Sequence, residues 1–291
     1  MQIVTSREQM VSIARLDQRL GSTIGFVPTM GALHEGHLSL MREARAQCDV
    51  LVVSVFVNPT QFGPAEDFAK YPRDLDKDAA LLIGEDVDYL FAPAVTAIYP
   101  PGFSTYVTVE GLSEQLEGAS RQGHFRGVAT VVAILLNIVR PDVAFFGQKD
   151  AQQAAVLKLM VRDLAFDTKV IVLPIVREES GLALSSRNAY LTAEQKSAAT
   201  VLHRGLSHAR SAYESGERNG VRLLELVRST IAAEPLARID YVSLNDAETL
   251  EPLEHIAERP ALLSLAVYLG KTRLIDNMVL GQTEKQEAAN A

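Results

Sequence analysis

Thr23-Ile24-Gly25-Phe26-Val27-Pro28-Thr29-Met30-Gly31-Ala32-Leu33-His34-Glu35-Gly36-His37 is the stretch on which the fold turns. The apolar run from Thr23 to Val27 has the make-up of a buried strand, and residues 36–48 carry helical patterning. A strand that passes through a Met-Gly turn directly into a helix is the opening βα step of a parallel sheet.

The pattern repeats downstream. Val50-Leu51-Val52-Val53-Ser54-Val55-Phe56-Val57 is the clearest buried strand, and further strands are expected at residues 87–91, 143–146 and 169–173. Helices are predicted over residues 74–82, 127–139 and 150–164. Upstream, Thr5-x-x-Glu8 has the form of a capping box, and Gly21 can end the helix that follows. This alternation predicts the α/β class, a doubly wound (Rossmann-like) parallel sheet with helices on both faces. Ligands then bind beyond the carboxyl ends of the strands.

After Arg187 the texture changes. Thr192-x-x-Gln195 opens an amphipathic helix expected to run to residue 213, and a second helix covers residues 221–233. Residues 239–244 and 262–268 alternate like strands of a small antiparallel sheet. The expected organisation is a Rossmann-like domain over 1–183, a smaller C-terminal α+β lid domain over 184–281, and a polar tail at 282–291.

Composition narrows the function. The chain has 291 residues, 47% hydrophobic and 22% charged, with 36 acidic against 28 basic residues and a net charge of −8. That balance argues against a nucleic-acid partner. A single cysteine, Cys48, cannot form an intrachain disulfide, which points to a reducing compartment and a cytoplasmic location. The start Met1-Gln2-Ile3-Val4-Thr5 lacks the layout of a signal peptide. The longest apolar run, residues 128–139, carries Thr130 and Asn137 and falls short of the about 20 residues a membrane span needs.

Four polar clusters carry the chemistry. In the first, His34 and His37 flank Gly36 at a helix start and share one side. The glycine lets a phosphate approach the first-turn N–H groups, and imidazole N–H groups could meet charge growing at an α-phosphate. Two surface histidines at a helix end would look the same. A zinc pair would be spaced four apart, as in H-E-x-x-H, whereas these are three apart. The second is Phe56-Val57-Asn58-Pro59-Thr60-Gln61-Phe62, where Gln61 offers a donor and an acceptor to a hydroxy acid and Asn58-Pro59 alone reads as a turn. The third is Phe145-Phe146-Gly147-Gln148-Lys149-Asp150, with Gln153 one helical turn on. Lys149 could meet phosphates as a point charge, or simply be solvated. The fourth, Leu184-Ser185-Ser186-Arg187-Asn188, suits a loop that closes over triphosphate, or an ordinary interdomain loop. Gly270-Lys271-Thr272 lacks the upstream glycine of a phosphate loop, since Leu265 stands there, and no G-x-G-x-x-G follows the first strand.

The order of these motifs resembles the pantothenate synthetase (pantoate–β-alanine ligase) family, within the HxGH nucleotidylyltransferase superfamily, over nearly the whole chain. The resemblance implies ATP-dependent condensation of (R)-pantoate with β-alanine through a pantoyl adenylate, releasing AMP and pyrophosphate. By carry-over, Met30, Gly31, Ala32, Leu33, His34, Glu35, Gly36 and His37 would line the ATP site, with His37 the proton donor. Gly147, Gln148, Lys149, Asp150, Val176, Leu184, Ser185, Ser186 and Arg187 would complete it. Lys149, Ser185, Ser186 and Arg187 join the two histidines as catalytic candidates. Gln61, Gln153 and Asn58 would serve pantoate and β-alanine, Asp78 would lie near Mg2+, and a homodimer is implied. Arg121-Gln122-Gly123-His124-Phe125-Arg126-Gly127 also looks family-like but receives no role. Other functions fit the residues alone. They are a nucleotidylyltransferase that leaves AMP on another small acceptor, a class I aminoacyl-tRNA synthetase core, or a nucleotide-sensing module.

Overall fold

The computed structural model describes residues 1–64 and 66–281. The expected polar tail at 282–291 lies outside the described residues. The chain falls into two compact units, Met1–Gly147 with Gln152–Leu173, and Gln148–Ala151 with the chain from Pro174 onward.

The first unit is built on six parallel strands: β1 (Gln2–Val4), β2 (Ile24–Thr29), β3 (Val50–Val55), β4 (Tyr89–Phe91), β5 (Val143–Gly147) and β6 (Lys169–Leu173). Their order is β1-β4-β3-β2-β5-β6. From β2 the chain passes through α2 (Glu35–Gln47) to β3 on one side, and it later lays β5 on the other side of β2. The carboxyl ends of β2 and β5 therefore flank the switch point, where a parallel sheet opens a crevice.

Helices cover both faces because alternate strand residues point in opposite directions. Ile24 and Phe26 pack with Met10 and Ala14 of α1 (Arg7–Arg19), with most of α6 (His124–Val139), and with Val156, Leu157 and Met160 of α7 (Ala151–Asp163). Val27 packs on the other face with Leu40 and Met41 of α2 and Leu82 of α3 (Leu75–Gly84). Gly25 shares that face, where a Cβ would lie 2.9 Å from the Cys48 sulfur. Cys48 is thus a packing residue, and burial pushes its thiol pKa up, away from reactivity. Two single-turn helices, α4 (Val95–Ile98) and α5 (Glu117–Ser120), lie in the long connection from β4 to α6.

The second unit pairs β7 (Ala237–Asp246), β8 (Ala261–Leu269) and β9 (Thr272–Leu280) as an antiparallel sheet in that order. It packs with α8 (Ala193–Ala199), α9 (Val201–Glu214) and α10 (Gly220–Ala232), through residues such as Leu202, Leu206, Leu223, Val227, Leu263 and Leu265. The Thr192–Gln195 capping box forms as expected, with reciprocal bonds of 3.2 and 3.1 Å. The single helix expected over 192–213 is two helices that meet at Thr200. Ser6, not Thr5, caps α1 by accepting from the Gln9 N–H. Strands β1 and β9 carry no clear alternation. β1 is only 3 residues long, and β9 buries the adjacent pair Asp276 and Asn277, which breaks the period.

Candidate active site

The turn after β2 is held from within the fold. Gly31 and Ala32 both have positive φ, 77° and 51°, and a Cβ on Gly31 would sit 2.7 Å from Asp78 Oδ2. Glycine is therefore required there on two counts, conformation and space. Asp78, from the first turn of α3 and 2% exposed, accepts the Ala32 N–H at 3.0 Å and the Leu33 N–H at 2.8 Å, one on each oxygen. Its carboxylate thus sets the turn that delivers His34 and His37.

His34 caps α2. Its Nδ1 accepts the Gly36 N–H at 3.2 Å, and His37 Nδ1 accepts the His34 N–H at 3.3 Å, which makes a histidine version of the capping box. A neutral imidazole that accepts at Nδ1 carries its hydrogen at Nε2. The two rings lie 4.1 Å apart between centroids, so the site gains two neighbouring Nε2–H donors at the start of a helix.

Beyond β3, the second cluster meets the first. Gln61 Nε2 lies 3.1 Å from the Met30 sulfur, and Gln61 Oε1 accepts from Asn58 Nδ2 at 2.9 Å. Asn58, 1% exposed, also donates to the Gly127 carbonyl at 3.1 Å. Its own oxygen accepts from Thr60 Oγ1 at 2.9 Å and Tyr99 Oη at 2.8 Å. Burial pushes the Tyr99 phenol pKa up, so it remains a donor. Asn58 therefore orients Gln61 from behind. Gly127 permits this approach, because a Cβ there would meet the Thr60 carbonyl oxygen at 2.5 Å.

The motif around His124, to which the sequence assigned no role, backs the same loop. His124 Nδ1 is 2.8 Å from the Gln61 carbonyl oxygen, and Arg121 Nη1 is 3.0 Å from His124 Nε2. Arg121 also forms a two-pronged pair with Glu66 at 2.8 and 2.7 Å. Burial, then the Arg121 charge, hold the His124 pKa down to about 4, so the ring is neutral and donates from Nδ1 while accepting from arginine. Gln153 stands half-buried in the first turns of α7. Its neighbour Gln152, 6% exposed, secures the connection before α5 by bonding Glu117, Leu112 and Gln115.

In the second unit, Leu184 N–H donates to the Val176 carbonyl at 3.0 Å, which joins two of the expected nucleotide-site residues across one short hairpin. Ser185 caps the short 3-10 turn Ser186–Tyr190 by accepting the Arg187 N–H at 3.3 Å. Asn188 Nδ2 bonds the Ala183 carbonyl at 3.0 Å. Gln148, Lys149 and Asp150 form a single 3-10 turn directly after β5. Among the described residues no group of three or more His, Cys, Asp and Glu side chains is arranged to hold a metal.

A doubly wound sheet with a histidine-capped helix at its switch point defines a nucleotide-binding α/β enzyme of the HxGH type. The family model described as Pantoate-beta-alanine ligase matches residues 2–279. The pantothenate synthetase of Moorella thermoacetica is 58% identical over 280 residues, which cover 96% of this chain and 98% of that protein. The crystal structure of pantothenate synthetase from Thermus thermophilus superposes with a TM-score of 0.89 at 46% identity, covering 96% of this chain and 99% of that one. A pantoate-beta-alanine ligase from Francisella tularensis, complexed with beta-gamma ATP and beta-alanine, gives 0.79 at 38% identity, covering 97% and 98%. The chain belongs to the pantoate–β-alanine ligase family.

Proposed function

We propose that the two histidines after β2 and the glutamine after β3 work on one carboxylic acid, which the enzyme activates with ATP. Family membership makes the chain an ATP-dependent ligase that joins pantoate to β-alanine. In our reading a pantoate carboxylate oxygen attacks the α-phosphorus of ATP. The bond from that phosphorus to the bridging oxygen breaks, and pyrophosphate leaves. The neutral amine of β-alanine then attacks the acyl carbon, the bond to the AMP oxygen breaks, and the nitrogen sheds a proton. Activation is needed because oxide is a poor leaving group, whereas AMP leaves readily.

The Nε2–H groups of His34 and His37 stabilise the charge that grows on the α-phosphate. His37 is the donor to the oxygen of the departing pyrophosphate, through a hydrogen bond that strengthens as the phosphorus–oxygen bond breaks. Gln61 holds pantoate, aligned by Asn58, and borders the amine site, while Gln153 contributes from α7. Met30 to Leu33, Glu35 and Gly36 line the nucleotide beside the histidines. Gly147 to Asp150, Val176 and Leu184 also belong to nucleotide binding, with Lys149 meeting the triphosphate as a point charge. Ser185, Ser186 and Arg187 bind triphosphate and exclude water, in keeping with 184–281 as a lid domain and 1–183 as the binding domain. Asp78 would lie near the Mg2+ that accompanies the triphosphate, since each of its oxygens accepts one backbone N–H and keeps lone pairs for a cation, whose charge would offset that of the phosphates. We also propose the cytoplasm as the location and a homodimer as the assembly. No described helix is long and apolar enough to cross a membrane.

The observation that carries the reading is the meeting of Gln61 with Met30 beside the histidine pair. The test is ATP–pyrophosphate exchange with (R)-pantoate present and β-alanine absent. Exchange that requires pantoate establishes the acyl-adenylate half-reaction. Folded, ATP-binding protein without exchange would favour transfer of AMP to another small acceptor.

A further inference from the structure

We infer that Asn277, with Asp276 beside it on β9, is a positioning residue for residues 148–149 and for the hairpin that leads into residues 184–187. The inference rests on the triphosphate roles proposed above for Lys149 and for Ser185 to Arg187. Neither β9 residue belongs to a recognisable motif, and both are buried, at 3% exposure each.

Asn277 spends its whole amide on one turn. Its Nδ2 donates to the Gln148 and Lys149 carbonyl oxygens at 2.9 Å each, and its Oδ1 accepts from Gln148 Nε2 at 3.1 Å. Those two carbonyls belong to the peptide groups on either side of the Lys149 Cα. Holding both sets the direction in which the lysine side chain leaves the backbone. Only a primary amide offers two donors and an acceptor in this arrangement.

Asp276 and Asn277 are consecutive on a regular strand, so they point to opposite faces of the sheet. Asp276 accepts from Arg177 Nη1 at 2.7 Å and Nη2 at 2.9 Å, and from the Asn277 N–H at 2.8 Å. Arg177 Nη1 also donates to the Gly181 carbonyl at 3.1 Å, inside the hairpin. That hairpin is closed by the bridge between Arg177 and Ala183 and by the Leu184 to Val176 bond at 3.0 Å, and Ser185 follows at once. Two adjacent buried polar residues on a strand are costly unless fully paired, and a packing role alone calls for apolar side chains. Here both are paired, Asn277 to residues 148–149 and Asp276 to the hairpin that leads into residues 184–187.

The experiment is pantoate-dependent ATP–pyrophosphate exchange on the full chain, comparing Asn277→Ala, Lys149→Ala and the double variant, with melting curves to verify folding. Asn277→Ala is expected to raise the KM for ATP about tenfold or more while the KM for pantoate stays within about twofold. In the Lys149→Ala background the same change should add little, because the residue acts through Lys149. A normal KM for ATP in folded Asn277→Ala overturns the inference. A full, additive penalty in the double variant also overturns it, since general destabilisation behaves that way. If Asn277→Ala does not fold, Asn277→Asp keeps the size and the acceptor for Gln148 but loses both donors, and the same rise in KM is expected. Wild-type exchange in Lys149→Ala would instead remove the triphosphate role of residues 148–150, and the inference with it. Impaired Lys149→Ala beside normal Asn277→Ala would remove the inference alone.

Discussion

Each unit organises a loop around one buried carboxylate, and the two carboxylates are satisfied in different ways. Asp78 is met by two backbone N–H groups, from Ala32 and Leu33. Asp276 is met by the guanidinium of Arg177 as well as by one N–H. Amide dipoles hold an anion without bringing a second charge out of water, so the first device ties backbone geometry directly to the side chain. The ion pair desolvates two charges, and its worth depends on both partners staying in place. The same residue type therefore shapes a turn in one unit and clamps a hairpin in the other.

The largest expected effect comes from breaking the ion pair. Asp276→Asn leaves Arg177 without its counter-charge and should lower stability by about 3 kcal/mol, read from chemical denaturation midpoints. A loss under about 1 kcal/mol would mean that solvent rescues the guanidinium, which is 18% exposed, and that the two devices are equivalent.

Asp78→Asn should follow, at about 1–3 kcal/mol, since an amide can accept from only one of the two N–H groups and sets its own donors against the other. Its kinetic effect should exceed its effect on stability. Turnover is expected to fall toward that of His37→Ala, which itself should lose on the order of a hundredfold. Near-normal turnover in Asp78→Asn would show that the turn does not need its carboxylate to present the histidines.

A pH titration separates a neutral partner from a charged one in the same way. His124 has its pKa lowered from 6.5 to about 4 in the folded chain, by burial first and by Arg121 second, against smaller opposing effects of the Gln61 carbonyl, Glu66 and Glu117. The unfolded chain binds the proton first as pH falls. Stability that is intact above about pH 6.5 is therefore lost progressively toward pH 4. His124→Gln should flatten that part of the curve, measured as melting temperature against pH. It should also raise the KM for pantoate more than that for ATP, since His124 backs Gln61. An unchanged slope would place the acid sensitivity elsewhere, for example at His203, whose pKa burial also lowers.

The smallest effect belongs to Cys48→Ala, a buried change outside both devices. It should cost about 1 kcal/mol or less through lost packing on Gly25 and leave exchange rates unaltered. Inactivation would contradict the packing role.

Much of the fold could be read from local pattern. The apolar runs of β2, β3, β5 and β6 and the helices between them were legible because each is buried on both faces or amphipathic within one segment. The capping box at Thr192 was legible because its two residues are three apart. Ser6 displaced Thr5 as a cap since either hydroxyl satisfies the pattern and only the path of the chain selects one. The break at Thr200 left no such mark.

In the site, sequence alone determined which side chains follow the strand ends: His34 and His37 after β2, Gln61 after β3 and Lys149 after β5. Tertiary structure decided how they are held. Asp78 reaches the Met30 turn from 45 residues away, Gly127 lets α6 press against the Gln61 backbone, and Asn277 meets Gln148 across 129 residues. Such contacts leave no periodic trace, because a hydrogen bond depends on distance and direction in space rather than on spacing along the chain. The polar residues that make them even erase the alternation that would have revealed their strand, as Asp276 and Asn277 do in β9.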